Sequence, residues 1–152
     1  MQIDIRLKTF IRILRKKFVK YKKILVVCPR YPYPVIGGDK LRISEVIKFL
    51  SKKNSIDLVS IGNVKMKVSY INKQFIYKNN FINRVTNVIK SLLKKEPMQI
   101  GLYKIPEMKK KINSLSKNYD VIIFHLIRTT YYFPKNFKGK KILEMTDLIS
   151  KN

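Results

Sequence analysis

The stretch that most constrains the fold is residues 23–50, KILVVCPRYPYPVIGGDKLRISEVIKFL. Its opening run, residues 24–28, is continuously apolar, rich in β-branched side chains and too short for a helix, which predicts a strand buried on both faces. Pro29, Pro32 and Pro34 then forbid regular structure. Gly37 and Gly38 supply backbone freedom just before a run in which Ile43, Val46, Ile47 and Leu50 recur at helical spacing. The order is strand, glycine turn, helix. In an open parallel sheet such a turn lies at the carboxyl end of a strand, where ligands bind, and the helix start offers unpaired N–H groups to an anion. Two adjacent glycines before a helix also arise simply where a helix start needs a positive φ. Asp39 reads either as the cap of this helix or as a competitor of a bound phosphate for the same N–H groups, partly offset by Lys40 and Arg42.

Further along, strands and helices alternate. Residues 56–61 read as a second buried strand. Between residues 64 and 77, Val64, Met66 and Val68 alternate with lysines as in a half-exposed strand, and residues 75–77 read as another. So short a connection leaves the third strand either irregular or differently paired. A helix over residues 80–93 carries an apolar stripe of Phe81, Ile82, Val85, Val88, Ile89, Leu92 and Leu93, with Pro97 beyond its end. Another starts near Pro106, with Ile105, Met108, Ile112 and Leu115 inward. Strands follow at VIIFH, after Asp120, and at KILEM, after the loop PKNFKGK. This alternation predicts an α/β chain, a Rossmann-like, doubly wound parallel sheet in three layers whose strand ends gather on the edge that holds the glycine pair.

Three strings carry a family resemblance. PRYPYPVIGGDKLR after a short apolar strand, DVIIFHLIR at 120–128 and ILEMTDLIS at 142–150 resemble, in order, the corresponding segments of family 4 glycosyltransferases with the two-Rossmann (GT-B) architecture, particularly a bacterial polysaccharide-associated branch. The second matches the pattern D-V-h-h-h-H-h-x-R, with h apolar, and the third is similar to V-L-D-h-V-D-A-L-S. The resemblance spans most of the chain from Lys23 onward. It implies the acceptor-side, N-terminal domain of a retaining enzyme that moves a sugar from a nucleotide-sugar donor to a glycan or lipid-linked acceptor. Residues 23–152 would be that domain, incomplete at its C-terminal end and inactive without a donor-binding domain or subunit.

The resemblance assigns His125, the only histidine, to contact with sugar or acceptor at the reaction centre. An imidazole of ordinary pKa can orient an attacking hydroxyl or take its proton; otherwise it is a buried histidine bonded to backbone. Arg128 offers a planar fork for a phosphate or carboxylate, and Arg30, between the first strand and its proline-rich loop, is a second cleft candidate. With Gly37, Gly38 and Asp39 these form the expected donor- and acceptor-binding set. Glu144 and Asp147 end the last strand and occupy the turn after it; Asp147 reads equally as helix cap or acceptor contact, and no spacing supports a glycosidase pair. Tyr31, Tyr33, Tyr131 and Tyr132 either pack in the protein or stack on a sugar. One histidine and one cysteine make no zinc set, there is no P-loop, and no cofactor is implied.

At 152 residues the chain holds one domain rather than two. Its 34 basic against 9 acidic residues give a net charge of +25 and a pI near 10.2, so a polyanionic partner is expected, part of the excess reflecting a lysine-rich surface. Nucleic acid is disfavoured, since the cations are spread along the chain without a recognition motif. A non-catalytic basic domain that binds anionic membrane or nucleic acid is the alternative reading. Residues 1–22 set Leu7, Phe10, Ile11, Leu14 and Phe18 on one helical face and cations on the other, a pattern that lies on an anionic membrane or docks on the domain. No apolar run nears the roughly 18 residues of a membrane span. The N-terminus lacks a secretory core, and the lone Cys28 reads as a core thiol, so a cytoplasmic site, peripheral at the inner membrane face if the helix binds there, is expected.

Overall fold

The computed structural model describes residues 12, 22–63, 66–93 and 101–145, with the backbone alone for 81–84 and 90. Five strands form one all-parallel sheet: β1 (Lys23–Cys28), β2 (Ser55–Ile61), β3 (Lys73–Tyr77), β4 (Val121–His125) and β5 (Lys140–Glu144), in the order β3-β2-β1-β4-β5. Helices α1 (Gly38–Ser51), α2 (Phe81–Leu93) and α3 (Pro106–Ser116) lie between them in sequence, and a 3-10 helix (Ile127–Tyr132) follows β4. This is the expected α/β, Rossmann-like arrangement.

The three central strands, β2, β1 and β4, bury both faces, while β3 and β5 at the edges are partly exposed. On one face Ile24, Val26 and Cys28 of β1, Ile56 and Leu58 of β2, and Val121 and Ile123 of β4 pack under Ile43, Val46, Ile47 and Leu50 of α1. On the other, Leu25, Val27, Val59, Ile122 and Phe124 meet Met108 and Ile112 of α3 and Tyr132 of the 3-10 helix. At the amino edge of the sheet, Asp120 accepts from the Lys23 amide at 2.8 Å, and its own amide donates to the Lys23 carbonyl at 3.0 Å. Asp57 accepts there from Asn72, the Lys73 amide and Tyr119.

Three expectations are corrected. The third strand is neither irregular nor differently paired: β3 runs parallel to β2 without a crossover helix, because the Asn72 amide donates to the Ile56 carbonyl and Asp57 anchors the strand's first residues. Residues 66–68 are not a strand. The Met66 amide and carbonyl are taken by the Tyr31 hydroxyl, and the carbonyl also by Gln74, so no ladder competes for them. Asp39 is not the cap of α1: Gly37 is, at φ 91°, with no side-chain cap bond, and Asp39 lies in the first turn, where its carboxylate faces the positive end of the helix dipole. The expected helix α2 is present, and four residues of its apolar stripe, Val85, Ile89, Leu92 and Leu93, are 43%, 52%, 54% and 81% exposed.

Candidate functional site

In the order β3-β2-β1-β4-β5, the chain turns one way from β1 and the other way from β4, so their carboxyl ends flank the topological switch point, where open α/β sheets form their crevice. Arg30 follows β1 by two residues and Arg128 follows β4 by three. Gly37 and Gly38 begin α1 above the same edge, and His125 is the last residue of β4. The expected site residues within the described chain therefore share one edge. Asp147 lies outside the described residues, as does the basic helix expected over residues 1–22, apart from Arg12 and Lys22.

The edge divides between the two faces of the sheet. On the α1 face, His125 and Glu144 are register neighbours at the ends of β4 and β5. Nδ1 of His125 donates to Oε2 of Glu144 at 2.5 Å, and Nε of Arg42, one turn into α1, donates to Oε1 at 2.5 Å. All three are buried, His125 at 2%, Glu144 at 1% and Arg42 at 8% exposure. Burial alone would push the Glu144 carboxyl up, but the bond and charge of His125 and the charge of Arg42 outweigh it and hold the carboxyl below its usual range. Nδ1 is thereby used on Glu144, and no described residue bonds Nε2, which accepts a hydrogen bond when the ring is neutral and donates one when it is charged. Any ligand needs a rearrangement of the rim to reach an imidazole so buried. Cys28, 0% exposed, lies on this face too; burial and then the charge of Glu144 push its thiol up, which keeps it an unreactive core group.

This depression has a direction in pH. A carboxylate whose folded pKa lies below its unfolded one binds fewer protons in the folded state, so its stabilisation is full above the unfolded value and disappears as pH falls through the folded one. The urea midpoint is therefore expected to fall from about pH 5 downward, and Glu144→Gln to flatten that part of the profile. An unchanged acid limb in Glu144→Gln would place the loss elsewhere.

On the α3 face, Arg30 and Arg128 both stand over the ring of Tyr103, their guanidinium carbons 5.9 and 5.5 Å from its centroid. Nε of Arg30 donates to the Tyr103 hydroxyl at 3.0 Å. Between His125 and Arg128 the chain turns sharply at Leu126, a non-glycine residue at φ 67°. Such a conformation costs about 1–3 kcal/mol and persists where its surroundings fix it. Here the Leu126 amide donates to the Glu144 carbonyl, and Thr129 bonds back to the Leu126 carbonyl through both amide and hydroxyl. Of the candidate tyrosines, Tyr31, Tyr33 and Tyr132 are buried core residues, while Tyr131 is half-buried under the ammonium groups of Lys109 and Lys104, at 4.0 and 5.3 Å.

Sequence reading missed three partners. Glu144 and Arg42 were seen without their link to His125, although two short strands of equal length, ending in His and Glu, hint that neighbouring ends align. Tyr103 gave no signal beyond standing shortly before Pro106. A concavity of about 640 Å³ along residues 66–75 includes none of the candidates. Among the described residues no group of three or more His, Cys, Asp or Glu could hold a metal ion, and no helix is long and apolar enough to cross a membrane. Compared with known proteins, the chain matches no family model, no curated protein and no solved structure.

Proposed function

We propose that the chain is the acceptor-side, GT-B-type domain of a glycosyltransferase, acting on a nucleotide-sugar donor and a glycan or lipid-linked acceptor. One observation carries the reading: the glycine pair, His125, Arg30 and Arg128 leave β1 and β4 at a single carboxyl edge, around the switch point. An edge of this kind is half of a crevice, and the exposed Val35 and Ile36 beside the glycine turn suit a covering surface. A second, donor-binding domain would close over it, excluding water and aligning an acceptor hydroxyl with the anomeric carbon. Within that closed site Nε2 of His125 accepts a hydrogen bond from a sugar hydroxyl, while Glu144 and Arg42 fix the ring's tautomer and orientation. Retention of configuration is expected through the family resemblance alone.

The test is a comparison of ligands. The isolated chain is expected to turn over no nucleotide sugar, yet to bind a saccharide acceptor with an affinity that survives about 0.2 M salt, whereas binding to duplex DNA collapses over the same range. Tight, steeply salt-dependent DNA binding with no saccharide binding would replace the sugar-transfer reading by that of a basic nucleic-acid-binding domain. In an assembly with a donor-binding domain, His125→Ala is expected to lower kcat by about 10²- to 10⁴-fold.

A further inference from the structure

We propose that Arg30, Arg128 and Tyr103 form an oxyanion site at the switch point, built to take a phosphate or diphosphate group. That this phosphate belongs to the acceptor rests on the sugar-transfer reading; the site itself does not. The two guanidinium groups come from different loops, after β1 and after β4, and converge on one aromatic ring. Each is a flat, permanently charged fork suited to two oxygens of a phosphate. Arg30 uses Nε on the Tyr103 hydroxyl, which leaves its two terminal amino groups for a ligand, and it is exposed. Neither arginine has a carboxylate partner among the described residues.

The ring they share is held in place. Tyr103 is 7% exposed, and its carbonyl accepts from the hydroxyl of Tyr132, a fully buried residue whose oxygen in turn accepts from the Ile105 amide. Glu144, at the same edge, is committed to Arg42 and His125, and neither Asp39, in the first turn of α1, nor Glu107, in the first turn of α3, pairs with either arginine. Like charges brought together without an anion repel. The same side of the molecule also carries Lys104, Lys109 and Lys135, and burial together with the charges of Lys135 and Lys104 lowers the Lys109 ammonium from its ordinary value. Positive charge is thus gathered on this face, at a place where the fold forms its crevice.

Calorimetric titration of the full chain with inorganic pyrophosphate, at fixed ionic strength, tests the site, with neutral vesicles doped with phosphatidic acid as a second arm. Saturable binding that Arg30→Ala and Arg128→Ala each weaken by about tenfold or more is expected, with Lys48→Ala, an exposed cation at the far end of α1, changing it less than about twofold. Arginine-dependent binding in either arm supports the site, and the tighter arm tells whether a soluble phosphate or a lipid headgroup is its source. No saturable binding, or an equal loss in Lys48→Ala, overturns it. Since Arg30 is exposed, Arg30→Gln remains a fair test should Arg128→Ala fail to fold. Pyrophosphate binding in a chain that takes no saccharide would leave the oxyanion site standing and remove the sugar-transfer reading alone.

Discussion

Glu144→Leu is expected to destabilise the chain by about 3–5 kcal/mol, read as a lowered urea midpoint at unchanged slope. The carboxylate is 1% exposed and divides its oxygens between two donors, Arg42 Nε and His125 Nδ1. Removing it leaves the Arg42 cation at 8% exposure without this counter-charge, and the desolvation cost of that cation is no longer offset. Against the roughly 5–15 kcal/mol of an ordinary domain, such a loss is a large share of the total stability. The double variant Arg42→Met with Glu144→Leu removes both charges and fills their volume with apolar atoms, so most of the loss should be recovered. A single Glu144→Leu that costs less than about 1 kcal/mol would mean that water reaches the network and that it braces nothing. The same comparison bears on His125. If, under the sugar-transfer proposal, the double variant is stable but its imidazole no longer supports transfer in an assembly with a donor-binding domain, the acidic partner orients the ring rather than merely holding α1 against β4 and β5.

How far the fold could be read in advance follows from which interactions are local. β1 and β4 are nearly continuous apolar runs between loops and β2 is a mostly apolar one, and burial on both faces leaves such runs few alternatives, so their limits and parallel direction were legible. Helix α1 declared itself by the spacing of Ile43, Val46, Ile47 and Leu50, all of them buried. The failures have a common cause. Residues 66–68 alternate like a strand, yet their conformation is decided by Tyr31, some 35 positions away, whose hydroxyl takes the Met66 backbone. The start of β3 is decided by Asp57, sixteen residues earlier. At the site, the residue types at Arg30, His125 and Arg128 were visible, but their grouping was not: His125 turns toward α1 and Glu144, whereas the two arginines meet on the opposite face, over a tyrosine supplied by the connection before α3. Periodicity assigns a side chain to a face of its own element; it does not say which distant side chain waits there.

Phe124→Ala is expected to cost about 3–5 kcal/mol, and to loosen the site as well as the core. Phe124 is fully buried, flanked in the sheet by Val27 of β1 and Leu143 of β5, and its ring lies 4.4 Å from that of Phe133. Phe133 closes the 3-10 helix, donating its amide to the Thr130 carbonyl, and Arg128 rides on that helix. Truncation opens a cavity between β4 and the helix, and a cavity costs both the lost transfer energy and the contacts its lining forfeits. Phe124→Leu keeps most of the volume and should cost less than about 1.5 kcal/mol. The distinguishing measurement is pyrophosphate affinity at a temperature where each variant is still folded. Phe124→Ala should weaken it because the support of Arg128 is lost, while Ile24→Val, a core change on the α1 face, should lower stability by about 0.5–1.5 kcal/mol and leave affinity unchanged. Equal affinities in the two variants would mean that the 3-10 helix holds Arg128 in place without Phe124 beneath it.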